Sequence, residues 1–280
     1  MLSYRHRFHA GNFADVLKHL TLIYLIDYLN KKDKSYRLLD THSGAGRYPL
    51  KSADAEKTQE FNEGVSLIFE QRVKHPTLKT YRNLLKTLNP NGLSLYPGSP
   101  LLASLLTRPQ DRLVFNEIHP QDSQRLEQLF STEKRVQIHH QDAYALLKAT
   151  LPFAERRGLI LIDPSYEIKQ EYQLLPGAIK EALKRFATGI YAIWYPVINR
   201  QSTESFLRTL IEAAQSQSRP TLRLEHCPLP DTNGLGMSGS GMLVINPPYT
   251  LADDFQPLMQ ELQGLLTQGK PGRVLIKKTD

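Results

Sequence analysis

The sequence has a single cysteine, Cys227, in 280 residues. That excludes a disulfide within the chain and any cysteine-built zinc cluster, and it implies a reducing, cytoplasmic setting. Long apolar runs are missing as well. The longest mainly apolar stretch, Leu20 to Leu29, contains Asp27 and falls far short of a bilayer-spanning helix. Arg5, His6, Arg7, His9, Asp15, Lys18 and His19 break up any signal-peptide core near the start. No internal repeat or low-complexity segment is present, so solenoid and fibrous designs are out. Hydrophobic residues at 40% and charged residues at 22% exclude wholesale disorder.

What the chain does have is positive charge. Lys and Arg number 35 against 28 Asp and Glu, a formal net charge of +7. The excess gathers at Arg5, Arg7, Lys31, Lys32, Lys34 and Arg37, and again at Lys270, Arg273, Lys277 and Lys278. Such a distribution fits a polyanionic partner, nucleic acid above all, and equally fits simple solubility.

Hydrophobic periodicity then sets the class. Asn12 reads as the cap of a helix carrying Val16, Leu17, Leu20, Ile23 and Tyr24 on its apolar face. Short apolar runs predict strands at 35–40, 113–117, 135–139, 159–163, 190–195, 221–227 and 242–246, most of them separated by helical patterns. The expectation is an α/β, Rossmann-like, seven-stranded and mainly parallel sheet with helices on both faces, its last two strands open to an antiparallel pairing. The interval from Gly46 to Leu113 exceeds what one crossover helix needs. A helix capped at Ser99, with Pro100 in its first position, closes the crossover. Residues 49–95 form an inserted helical pair within a single domain spanning 1–280, with Phe61, Val65, Ile68 and Phe69 on one helix and Leu78, Tyr81, Leu85 and Leu88 on the other.

Three strand ends carry chemistry. Gly44-Ala45-Gly46 follows the first strand and lets the backbone approach a nucleotide-like ligand, or simply makes a tight exit turn. The third glycine of a dinucleotide fingerprint would fall at Pro49, so a nicotinamide oxidoreductase ranks last. Glu117, at the end of the second strand, is placed to accept ribose hydroxyls, or is a surface carboxylate. Asp142 repeats the pattern on the third strand, positioned for an adenine amino group, with the Ala143 N–H beside it. The fourth strand, Leu159 to Ile162, enters Asp163-Pro164-Ser165-Tyr166. An exocyclic amine on a base is a poor nucleophile because its lone pair is delocalised into the ring. The Asp163 carboxylate and Pro164 carbonyl can accept its two N–H groups and favour localisation of that pair. Tyr166 would stack on a flipped base. Asn246-Pro247-Pro248-Tyr249 matches this pattern even more closely, but it follows the last strand and reads as the chain leaving the sheet. His6, His9 and His139-His140 lack companions at metal-ligand spacing, so no metal is expected.

These residues resemble the bacterial 23S ribosomal RNA adenine-N6 methyltransferase family called RlmJ, within the class I S-adenosylmethionine methyltransferases. The resemblance runs along nearly the whole chain. It is carried by Met1 to His6, Phe8 to Asn12, Ala14 to His19, Asp40 to His42, Gly44 to Tyr48, Tyr96 to Pro100, Arg157 to Pro164 and Arg185 to Ala192. It implies S-adenosylmethionine contacts at His19, His42, Ser99, Glu117, Asp142, Ala143 and Asp163, assigns Asp163 to the target amine, and places Tyr4 near the RNA. The family's usual second proline is Ser165 here, which would loosen the loop. Asp15, Lys18 and His19 share a helix face. With Tyr4, His6 and Arg7 they could form a lid offering a cation and an aromatic to a flipped nucleotide, or simply a solvated ion pair beside a loose terminus; the resemblance favours the lid. The resemblance thus implies a monomeric, cytoplasmic enzyme acting on free or partly assembled 23S rRNA. The rivals are a DNA adenine-N6 methyltransferase and a catalytically silent RNA-binding protein.

Overall fold

The computed structural model describes residues 6–167, 169–231, 236–267 and 272–279. The chain runs through α1 (Phe13–Asn30), β1 (Arg37–Asp40), β2 (Arg47–Pro49), α2 (Ala53–Thr58), α3 (Val65–Glu70), α4 (Pro76–Leu88), β3 (Leu95–Pro97) and α5 (Ser99–Leu106). It continues through β4 (Arg112–Asn116), α6 (Pro120–Leu129), β5 (Val136–His139), α7 (Ala143–Thr150), β6 (Gly158–Ile162), α8 (Glu171–Arg185), β7 (Ile190–Val197) and α9 (Arg200–Gln215). The last elements are β8 (Thr221–Cys227), β9 (Gly239–Ile245), α10 (Leu251–Leu266) and β10 (Arg273–Thr279).

The main sheet has the order β10-β8-β9-β7-β6-β1-β4-β5. β1 is flanked by β4 and β6, both parallel to it, and β5 and β7 extend the parallel set on either side. The chain therefore leaves β1 in one direction and later returns to the other side. That reversal opens a crevice beyond the carboxyl ends of β1, β4 and β6. The last three strands pair antiparallel, β9 to β7, β8 to β9 and β10 to β8.

All seven strands expected from the sequence are present, and β10 makes an eighth. Its apolar run Val274-Leu275-Ile276 is short, flanked by Arg273, Lys277 and Lys278, and only half-buried at the sheet edge. It lacks the buried composition that marked the others.

The segment 49–95 holds more than two helices: α2, a 3-10 turn at Glu60–Glu63, α3 and α4. Phe61 falls in the 3-10 turn rather than on α3. The break is at Gly64, where a Cβ would collide with the Gly11 carbonyl and the Asn12 backbone. The close approach lets Val65 N–H donate to Gly11 O at 2.8 Å. A hairpin too short to show in the sequence pairs β2 with β3, setting Tyr48 opposite Tyr96.

This covering explains α1. Val16, Leu17, Leu20, Leu25 and Ile26 are all buried, as are the polar Asp15, Lys18, His19 and Thr21. The sheet packs on one side of the helix, and α4 and α5 lie on others. Asn12 caps it as expected, its side chain accepting from the Ala14 and Asp15 N–H groups at 3.0 Å. One apolar core joins α1, α5, α10 and the insertion on one sheet face, while a second gathers α7, α8 and α9 on the other.

Candidate active site

A cleft of about 560 Å³ opens at the carboxyl edge of the parallel strands, within the range of small-ligand sites. Its walls include His6, Lys18, His19, His42, Gly44, Ser99, Glu117, Asp142, Ala143, Asp163, Pro164 and Tyr166. Every site residue expected from the sequence is thus brought to one place except Tyr4, which lies outside the described residues.

At one end the cleft is built by backbone. Gly44 has φ +60, and a Cβ there would strike the Tyr48 hydroxyl. The Gly44 N–H donates to Glu117 Oε2 at 2.8 Å and the His119 N–H to Oε1 at 2.7 Å, so the carboxylate is held in one orientation. Burial pushes the Glu117 carboxyl up, against those two N–H groups. Asn116, which the sequence did not single out, ties three strand ends together. Its amide donates to Thr41 O and Gln141 O at 3.0 Å, and its oxygen accepts the Gln141 N–H at 3.1 Å. Asp142 caps α7, accepting the Ala145 N–H at 2.8 Å.

Deeper in, Asp40 is a second residue that sequence reasoning passed over. It is buried, accepts Ser99 Oγ–H at 2.6 Å and accepts the His42 N–H at 3.2 Å. Burial pushes its carboxyl up to about 7, with Asp163 adding to the rise. The signal available was its place at the end of β1, just before the glycine turn. Ser99 does not cap α5 as expected. Gly98 occupies that position, and the Ser99 hydroxyl is committed to Asp40. His19 Nδ1 meets the Tyr96 hydroxyl at 2.7 Å, while its buried Nε2 has no hydrogen-bond partner among the described residues. Burial lowers His19 to about 3, so the ring is neutral.

The other end is ionic. Lys18 Nζ lies 2.5 Å from Asp163 Oδ2 and 2.7 Å from Asp15 Oδ1, and His6 Nε2 is 3.0 Å from Asp15 Oδ2. Burial alone would lower the Lys18 pKa, but Asp15 and Asp163 outweigh it and raise it well above the usual value. Burial alone would likewise raise Asp15, yet His6 and Lys18 hold it well below the carboxylate range.

Two sequence expectations are corrected here. Lys18 is not an exposed cation. It lines the cleft at 4% exposure, and its charge is spent on Asp15 and Asp163. Tyr166 is not a free stacking face. Its ring lies among Tyr172, Trp194 and Phe206, its hydroxyl donates to Trp194 O at 2.7 Å, and only 7% of the residue is exposed. Three aromatic rings in contact hold it more firmly than solvent at the cleft mouth would.

Asn246-Pro247-Pro248-Tyr249 behaves as expected. β9 runs antiparallel to β7, so its end lies at the opposite edge of the sheet, and none of the four residues lines the cleft. Among the described residues no group of three His, Cys, Asp or Glu side chains could hold a metal ion, and no helix is long and apolar enough to cross a membrane.

Comparison with known proteins identifies the family. Residues 33–276 match the family model described as ribosomal RNA large subunit methyltransferase D, RlmJ. The chain is 46% identical over 277 residues to ribosomal RNA large subunit methyltransferase J of Escherichia coli, covering 99% of this chain and 98% of that protein. The protein of the same name from Haemophilus influenzae is 47% identical over 264 residues, covering 94% and 93%. The crystal structure of a Legionella pneumophila protein, 43% identical, superimposes with a TM-score of 0.88 over 96% of this chain and 98% of that one. By sequence over nearly its whole length and by fold, the chain belongs to the RlmJ family of ribosomal RNA large subunit methyltransferases.

Proposed function

We propose that this protein transfers a methyl group from S-adenosylmethionine to N6 of an adenine in 23S ribosomal RNA. The observation that carries the reading is the Asp163–Pro164 pair of acceptors at the end of β6, sharing one cleft with the backbone-oriented Glu117. S-adenosylmethionine supplies an activated methyl group on a sulfonium. Glu117 would hold its ribose hydroxyls and Asp142 its adenine amine, with the Ala143 N–H alongside. His42, Ser99 and Gly44 would line the amino-acid end, and the unpartnered Nε2 of His19 is a buried polar atom suited to it. This donor set fits the cofactor.

Lys18 occupies Asp163 Oδ2 and leaves Oδ1 for the target base. One N–H of the amine donates to Asp163 Oδ1 and the other to the Pro164 carbonyl, which localises the nitrogen lone pair toward the methyl group. The surplus proton left on nitrogen after transfer lies beside the same carboxylate. In-line placement supplies much of the remaining rate. Tyr166 contributes a wall of the base pocket, and His6 on the cleft wall would meet the RNA, the role that the resemblance also gives Tyr4. Exposed Lys51, Lys57, Arg72, Lys74 and Lys79 on the insertion add positive surface for phosphates. We take the enzyme to be a cytoplasmic monomer acting on free or partly assembled RNA, because sequence-specific recognition targets splayed bases.

Labelled methyl transfer to protein-free large-subunit rRNA, followed by digestion to nucleosides, tests this. Label should appear in N6-methyladenosine and fall on the order of 10³-fold in Asp163→Ala. Label entering only a duplex DNA control, or RNA label indifferent to Asp163→Ala, would overturn the assignment.

A further inference from the structure

The loop that carries Asp163 has little stiffness of its own. Pro164 is followed by Ser165, whose φ no ring constrains. Tyr166 then adopts φ +56, a left-handed conformation that a bulky L-residue avoids unless its surroundings impose it. Something outside the loop must therefore hold it.

The Tyr166 side chain is held by the hydroxyl bond to Trp194 O and by the packing of its ring on Tyr172 at 4.7 Å, with Trp194 and Phe206 beside it. Among the described residues one side chain grips the Tyr166 backbone. Its N–H donates to Glu171 Oε2 at 2.7 Å. Glu171 is the first residue of α8 and Tyr172 the second, so the start of one helix holds both the backbone and the ring of Tyr166. Glu171 also lines the cleft and is half-buried there. The bond to Tyr166 N–H fixes the peptide plane next to the one that bears the Pro164 carbonyl.

We propose that Glu171 is a positioning residue whose carboxylate latches the Tyr166 backbone and thereby aims Asp163 and the Pro164 carbonyl at the target amine. The proposal rests on the reading of those two groups as the amine's acceptors. It assigns Glu171 no contact with the RNA or the cofactor. A glutamine amide oxygen can accept the same N–H, so the latch needs an acceptor and not a charge.

The chain has a single tryptophan, Trp194, whose ring centroid lies 5.9 Å from that of Tyr166. Its fluorescence therefore reports on the loop independently of activity. Glu171→Ala and Glu171→Gln are compared with the unaltered protein in emission spectrum, iodide quenching and steady-state methyl transfer to rRNA. Glu171→Ala should alter the emission, expose Trp194 to iodide and lower kcat by up to about 100-fold, the scale of a small misplacement of reacting groups. KM for RNA should stay within about twofold, as for an interaction made only in the transition state. Glu171→Gln should match the unaltered protein in both readouts. Unchanged emission and kcat in Glu171→Ala would overturn the latch, as would Glu171→Gln as impaired as Glu171→Ala with the loss in KM. Altered emission with unchanged kcat would keep the latch and remove the underlying reading of the loop as the amine site.

Discussion

Asp163-Pro164-Ser165-Tyr166 and Asn246-Pro247-Pro248-Tyr249 carry nearly the same chemistry at opposite edges of one sheet. Each has a residue in the left-handed region, Tyr166 at φ +56 in one and Asn246 at φ +55 in the other. Their surroundings differ completely. The first segment ends a parallel strand at the switch point, faces a cleft and meets a buried lysine. The second ends an antiparallel strand. Its asparagine donates to Ala187 O at 2.9 Å and Gly189 O at 2.7 Å, and its tyrosine is 82% exposed. A side chain set that could bind an amine becomes a chain-reversal device when strand direction sends it to the other edge. Strand polarity decides what the motif does.

That contrast can be tested at several strengths, beginning with Lys18. Lys18→Met leaves Asp15 and Asp163 without their shared cation, and breaking such a buried pair costs about 3–5 kcal/mol. Chemical denaturation should show that loss, and methyl transfer should fall with it. A variant as stable and active as the unaltered protein would mean that the first motif needs no counter-charge.

Acid probes both halves of the sheet. Burial lowers His19, beside the cleft, to about 3 and His226, in the antiparallel half, to about 4. Both folded values lie below the unfolded one near 6.5, so this stability is intact above pH 6.5 and is lost as pH falls toward 4. At about 1.4 kcal/mol per unit, each histidine contributes about 3 kcal/mol of acid destabilisation. Unfolding midpoints between pH 7 and 4.5 should flatten comparably in His19→Gln and His226→Gln. Cofactor affinity should change only in His19→Gln.

The second motif should respond in stability alone. Asn246→Ala removes two hydrogen bonds and a residue suited to positive φ, for about 1–3 kcal/mol. Its kcat should equal that of the unaltered protein, and a catalytic defect with intact stability would dissolve the distinction between the motifs. Tyr249→Ala is the mildest change, within about 0.5 kcal/mol on stability and without effect on transfer.

Much of this was legible in the residues. Seven strands and the mainly parallel class of the sheet followed from apolar runs that alternate with helical periodicity, because a doubly covered strand must be apolar on both faces; their order came only from the structure. The strand-end positions of Glu117, Asp142 and Asp163 followed from where those runs stop. The eighth strand did not, since an edge strand with one exposed face and three flanking cations has no distinctive composition. Nor did Asp40, Asn116 and Glu171 stand out, because each acts by hydrogen bonds to residues far away in sequence or across a loop.

The sequence by itself therefore determined the class of sheet and which strand ends carry the candidate chemistry, since periodicity and chain order set those locally. The destinations of the side chains were decided only by tertiary structure. Lys18 reads as a cation offered to a nucleotide until the fold brings Asp163 against it, and Tyr166 reads as a stacking ring until α8 and α9 close an aromatic pocket around it. Burial depends on what packs against a residue, and in both cases the covering element comes from elsewhere in the chain.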